Sequence, residues 1–357
     1  MRQSGLRHKK PFVLSGRTYP RQYWLWLDKA GRAKTKLLGV LAALLLAAVL
    51  FGSPPARAAS DFDNWLAGLR KEALASGISA AVFDSALAGV QPKKRVVELD
   101  RSQPEFKLTL KRYLANTISA ARVKKGRALR DQHQQLLADI GREYGVQPRY
   151  ILALWGIESA FGQHKGGFFV PQALATLAYD GRRAAYFRKE LLNALKILQE
   201  GHIDQARMMG SWAGAMGQPQ FMPSSFLAYA EDWNKDGRRD IWTDEQDVFA
   251  SVAHYLQQAG WRDDITWGRE VRLADGPDWA RMAKAKTRQT MREWQALGLR
   301  TAEGGPLPQR NLSSRLILPD GTGGRAFLAY DNFESLRRWN RSDYFAIAVG
   351  ILSDYYK

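Results

Sequence analysis

The chain has 357 residues, 45% hydrophobic and 25% charged, with no cysteine and a formal charge of +18. The missing thiol excludes disulfides, thiolate metal sites, a Cys nucleophile and a lipoprotein-type Cys anchor, while the length alone suffices for a full core. Eleven Lys and Arg but one acid fall in residues 1–58, so the remainder carries only about +8 and a nucleic-acid-binding reading loses its main support.

The first segment reads as an export signal. Leu37 to Gly52 is an unbroken apolar run of 16 residues, preceded by Lys34 and Lys36 and followed by a small-x-small cleavage site at Ala56-Arg57-Ala58. The run is shorter than the ~20 residues that span a bilayer. Removal after export is one outcome, and a retained inner-membrane attachment through residues 37–52 is the other. Basic residues ahead of the run place the amino terminus in the cytoplasm and everything after it outside. Residues 1–58 are therefore set apart as signal or anchor, and 60–357 are expected to fold in the periplasm.

Beyond the signal the periodicity is mainly helical, with segments at about 61–75, 105–145, 148–161, 184–200, 223–232, 246–259, 278–297 and 342–356. From 264 to 334 the texture changes. Residues 266–273 alternate like a strand, and 314–318 and 326–330 flank the turn Asp320-Gly321-Thr322-Gly323-Gly324 as a hairpin. This pattern predicts a mainly α, α+β fold. A β-rich insertion at about 264–334 interrupts the helical body, and a final helix from Ser342 returns to that body.

One carboxylate stands out. The run from Tyr150 to Gly162 is apolar almost all the way round, with Pro148 suited to the first helical position and Gly162 to the stop. Glu158 shares a helix face with Ile151, Leu154, Trp155 and Phe161. Desolvation there would raise its carboxyl above the ordinary ~4.3, which suits a general acid. Taken alone, the same pattern fits a buried Glu neutralised by Arg or Lys.

Two further runs are rich in signals. Gly210 to Ser225 combines Gly214 and Gly217, which let backbone approach a ligand, with Pro219 and the hydrogen-bonding Ser211 and Gln220. An ordinary turn entering a helix at Pro223 is the plainer reading of that loop. Asp232-Trp233-Asn234-Lys235-Asp236-Gly237-Arg238-Arg239-Asp240 places oxygen donors at positions 1, 3, 5 and 9 with Gly at 6, as an EF-hand loop opens. Thr243 occupies position 12, where a bidentate Glu belongs, so a standard EF-hand is excluded. The plainer reading is an Asx-rich turn capping neighbouring helices.

The Glu158 helix and the Gly210 to Ser225 loop, in this order, resemble the membrane-bound lytic murein transglycosylase B family of the lysozyme-like superfamily. The resemblance runs from about residue 61 to the C-terminus and includes Phe333 to Tyr355. It implies a lysozyme-like helical core at about 140–262 and 335–357 with an accessory helical lobe around a long cleft. It implies that 60–357 is a catalytic region, expected to be monomeric, which cleaves the MurNAc–GlcNAc bond of peptidoglycan glycan strands. Glu158 would act as acid and then base, the muramic acetamido group would assist, and the sugar 6-hydroxyl would close a 1,6-anhydro ring. No cofactor is needed for that chemistry.

The same resemblance carries Ser211, Gln220, Tyr113, Tyr255 and Asn340 over as substrate contacts. Core packing is the competing role for both tyrosines. Trp339 precedes Asn340 where some family members carry Tyr. Resemblance also makes Asp247 the closing ligand of a structural calcium site, with the side chains of Asp232, Asn234 and Asp236 and the Arg238 carbonyl. A non-catalytic wall-binding protein and a water-using lysozyme-type hydrolase are the rival functions. Asp180 and Glu190, the nearest other acids, read as solvated or capping residues.

Overall fold

The computed structural model describes residues 55–102 and 108–357. The apolar run at 37–52 lies outside the described residues. Helices α1 (Pro55–Ala75), α2 (Ala80–Leu87) and α3 (Lys94–Arg101) form an accessory layer, with Phe62, Leu69, Phe83 and Val96 buried. The segment expected as one helical stretch from 105 to 145 is instead three helices: α4 (Leu110–Thr117), α5 (Ala120–Gln132) and α6 (Gln134–Tyr144). Each break has a local cause. The Thr109 and Ser119 hydroxyls accept from the Arg112 and Arg122 amides and cap α4 and α5. His133 both ends α5 and starts α6.

Helix α7 (Pro148–Ser159) is the axis of the body. Its residues from Tyr150 to Ile157 are all buried, which only a helix walled in on every side can do. It stops abruptly because Ala160, Phe161 and Gly162 are all left-handed, with φ of 52°, 60° and 74°. Strand β1 (Phe168–Phe169) follows, then α8 (Val170–Asp180), α9 (Ala184–Gln199) and strand β2 (Met209–Gly210), which pairs antiparallel with β1. Helices α10 (Pro223–Tyr229) and α11 (Glu245–Gln258) complete this half, and α11 joins α5 and α6 against α7.

The β-rich lobe follows. It contains β3 (Gly268–Arg272), α12 (Trp279–Lys284), β4 (Arg288–Thr290), α13 (Met291–Ala296), β5 (Arg300–Thr301), β6 (Ser313–Ile317) and β7 (Ala326–Ala329). The helical stretch expected at 278–297 is thus two short helices on either side of a strand. The capping box between Thr290 and Glu293 starts α13 anew. The strands form one antiparallel sheet in the order β4-β6-β7-β3-β5, with Leu316 opposite Leu328 and Val271 opposite Ala326. The expected hairpin is β6–β7. Trp279, Trp294, Leu316, Leu328 and Tyr330 give the lobe its own core.

Helices α14 (Asp331–Trp339) and α15 (Asp343–Asp354) bring the chain back, and α15 packs along α7. Gly350 lets it lie flat on Trp267, because a Cβ there would come within 2.2 Å of the indole. The hairpin turn is tied to the body as well. Both Asp320 carboxylate oxygens accept the Leu110 amide at the start of α4, at 3.1 and 2.9 Å, and one also accepts the Tyr344 hydroxyl.

Candidate active site

Glu158 lies in the last turn of α7, half-buried, where the helix has reached the edge of the core. Trp339, the last residue of α14, donates its indole N–H to Glu158 Oε1 at 2.7 Å. The indole is itself wedged in rings. Its centroid is 4.7 Å from Tyr255 and 5.3 Å from Phe221, and Tyr255 lies 4.7 Å edge-on to Tyr229. The Tyr255 hydroxyl donates to the Arg338 carbonyl at 2.8 Å. Burial, then the neighbouring Tyr229, pushes that hydroxyl up to about 12, so it remains a donor at neutral pH.

The Gly-rich loop packs against the same helix. Gln218 Oε1 accepts the Trp155 indole N–H at 2.6 Å and fixes the loop to α7. Met216 and Phe221 exchange backbone hydrogen bonds of 2.8 and 3.0 Å, and the turn between them puts Gln220 at φ 54°. Gln220 Nε2 donates to the Gly217 carbonyl at 2.8 Å. The Ser211 hydroxyl oxygen accepts the amides of Ala213 and Ala215 at 3.3 and 3.0 Å, so its own proton is left to point elsewhere. Glycine is required where the loop crosses the preceding segment. A Cβ on Gly166, at φ 91°, would sit 2.0 Å from the Gly210 carbonyl.

The structure therefore gathers Glu158, Tyr255 and Asn340 around Trp339, with the loop bearing Ser211 and Gln220 joined to them through Phe221 and Trp155. Asn340 ends α14, and its Oδ1 accepts the Ser342 amide at 3.1 Å. Tyr113 is placed differently: it is a buried residue of α4 whose ring meets Tyr344 edge-on at 5.6 Å. The two other acids are committed elsewhere. Asp180 pairs with Arg101 at 2.8 Å. Glu190 is buried and accepts both the Ser224 amide and hydroxyl, at 2.8 and 2.7 Å, at the start of α10.

The acidic loop is folded around its own side chains. Asp232 Oδ1 and Asn234 Oδ1 both accept the Asp236 amide, at 3.0 and 2.9 Å, and Asp232 Oδ2 accepts the Gly237 amide at 2.9 Å. Asp236 Oδ1 accepts the Arg238 amide at 2.9 Å. Asp247, fully buried on α11, closes the loop from below by accepting the Trp233 and Asp240 amides at 2.8 and 2.7 Å. Burial pushes its carboxyl up to about 6. All these donors are hard oxygens, the chemistry calcium selects. Yet no three acidic or histidine side chains converge at metal-holding distance among the described residues.

A family model for the transglycosylase SLT domain matches residues 61–354. The chain belongs to that family. Over 239 residues it is 34% identical to the membrane-bound lytic murein transglycosylase B of Escherichia coli, a match covering 67% of this chain and 64% of that protein. The structure of SltB3 from Pseudomonas aeruginosa in complex with NAG-NAM-pentapeptide superposes with a TM-score of 0.80 at 44% identity, covering 83% of this chain and 79% of that one. The E. coli lytic transglycosylase Slt35 in complex with calcium gives a TM-score of 0.69 at 28% identity, covering 84% and 92%. The fold is accordingly mainly α and lysozyme-like, with a small antiparallel sheet.

Within this SLT domain, two features escape a reading of the sequence. One is the bond between Trp339 and Glu158, 181 positions apart. The other is the ring column of Phe221, Tyr229, Tyr255 and Trp339. Aromatic residues are too common in helices for periodicity to single these out; the resemblance points to Tyr255 and sets Trp339 beside Asn340, but does not point to the column they form with Phe221 and Tyr229.

Proposed function

We propose that this protein is a lytic transglycosylase that cuts peptidoglycan glycan strands between MurNAc and GlcNAc. The observation that carries the reading is a half-buried carboxyl aimed by an indole N–H beside a Gly-rich loop. Glu158 protonates the glycosidic oxygen and, as the bond breaks, the muramic acetamido group assists at C1. Glu158 then takes the proton of the muramic 6-hydroxyl as that oxygen closes onto C1, leaving a 1,6-anhydro ring and regenerating the acid. One carboxyl suffices for both steps because the attacking hydroxyl is already tethered to the reacting sugar. Ser211 offers a donor and Gln220 an amide for the sugar's acetamido and hydroxyl groups, while Tyr255 and Asn340 border the acid. Tyr113 supports the cleft through Tyr344.

The reading includes two further parts. The acidic loop of Asp232, Asn234, Asp236, the Arg238 carbonyl and Asp247 holds a structural calcium ion, which needs small rotations of side chains now bonded to the loop's amides. The protein acts outside the cytoplasm as a monomer, exported by the segment before residue 59. No helix of the described residues is long and apolar enough to cross a membrane.

Mass spectrometry of fragments released from purified sacculi tests the chemistry. Products are expected to end in 1,6-anhydro-muramic acid and to be lighter by one water than those of a hydrolase. Mainly reducing-end products would instead establish a lysozyme-type hydrolase on the same glycan. Binding without release would establish a non-catalytic wall-binding protein.

A further inference from the structure

Near the end of α7 stand two cations that form no ion pair among the described residues. Arg122 and Lys125 lie three residues apart on one face of α5. Lys125 Nζ donates to the Ala160 carbonyl at 3.4 Å and stands 5.3 Å over the Phe161 ring. Ala160 is two residues past Glu158, so this ammonium lies at the end of α7 that carries the acid. Arg122 donates to the Thr117 carbonyl, and the groups whose field it feels are the Tyr356 and Tyr113 phenols. His164, in the turn after α7, lies close enough to both cations for their fields to reinforce the effect of burial in lowering its imidazole.

Elsewhere two guanidinium groups withdrawn from solvent meet carboxylates: Arg315 pairs with Glu334 and Arg149 with Asp354. Arg122 and Lys125 form no ion pair within 4 Å among the described residues, although burial disfavours the charge of each, and only the field of Glu245 on α11 offsets this at Lys125. Like charges gathered on a half-buried rim raise the energy of the empty site. An arriving anion removes both the repulsion and the unmet charge.

We infer that Arg122 and Lys125, flanked by His164, form a shelf that binds a free carboxylate of the peptide stem on the muramic residue being cleaved. The inference rests on the proposed glycan-cleaving function and adds a peptide-recognition site to it. The geometry suits such a stem, which hangs from the sugar whose glycosidic oxygen Glu158 protonates. Two extended residues span about 7 Å, and Ala160, whose carbonyl Lys125 holds, is two positions past Glu158. A charge-assisted bond there fixes the strand in register along the cleft.

The test compares two substrates: glycan strands bearing peptide stems, and the same strands with the stems removed by an amidase. Lys125→Met keeps the aliphatic packing on Phe161 and removes the charge. It is expected to lower kcat/KM on stem-bearing glycan about tenfold, with stem-free glycan within about twofold. Lys125→Arg is expected to restore the loss. Equal losses on both substrates, or no loss on stem-bearing glycan, would overturn the shelf. Unmodified protein that cleaves neither substrate would overturn the proposed function itself, and the shelf with it.

Discussion

Trp339 and Glu158 meet across 181 positions of sequence in a 2.7 Å hydrogen bond from indole nitrogen to carboxylate oxygen. This bond joins the C-terminal ends of α14 and α7, so the direction of the acid depends on how the last third of the chain docks. Trp339→Phe keeps a ring against Tyr255 and Phe221 but removes the donor. A hydrogen bond to a charged group contributes about 1.5–3 kcal/mol, so kcat should fall about tenfold or more. KM should stay within about twofold, because the ring column of Phe221, Tyr229 and Tyr255 keeps its packing partner. Steady-state kinetics on purified glycan strands will show the split, and a change confined to KM would exclude the positioning role.

Glu158→Gln changes one atom and removes the proton cycle. Glycan release should drop by about 10²–10⁴-fold, with an unchanged melting temperature and undiminished binding to sacculi. Turnover at the unmodified rate would refute Glu158 as the acid.

Calcium should raise the melting temperature, because a ligand bound only by the folded state stabilises it. At a hundredfold excess over Kd the gain is about 2.7 kcal/mol, or roughly 5 °C for a chain of this size. Asp236→Ala should abolish the shift while leaving glycan cleavage at low temperature intact. Identical melting curves in calcium and in chelator would rule the site out.

Gly166→Ala should be costly. Its φ of 91° is unfavourable for a side chain, and the added Cβ would lie 2.0 Å from the Gly210 carbonyl, which cannot yield without parting β1 from β2. We expect a loss of about 2 kcal/mol or more in denaturant unfolding. Gly145→Ala is the control. It shares a positive φ of 63° but has open space around it, and should cost about 1 kcal/mol.

Sequence made some of this architecture plain and hid the rest for physical reasons. The apolar run of α7 and the Asp320 to Gly324 turn are local signals, and the central helix and the β6–β7 hairpin follow from them directly. Helix α8 gave no such signal. Eight of its eleven residues are buried, so it shows no amphipathic period to find. Strands β1 and β2 are two residues each and exist only because distant segments meet. The short caps at Thr109, Ser119 and Thr290 split stretches that overall periodicity had joined. At the site, Glu158, Ser211, Gln220 and Asn340 could be singled out by motif, but what each side chain bonds to could not. Glu190 shows the limit most clearly. It had been read as solvated or capping, and it is a buried carboxylate that caps a helix other than its own.

The clasp between Asp320, Leu110 and Tyr344 adds to the other bonds that tie the β-rich lobe to the body, among them Arg315 to Glu334 and Trp267 to Asp354. Chain connections alone would leave a flap free to swing; bonds spread over several places hold a plate. With this plate fixed against α4 and α15, its position is set when the chain folds. The lobe and the helical body therefore move as one piece, and heat or denaturant should unfold them together.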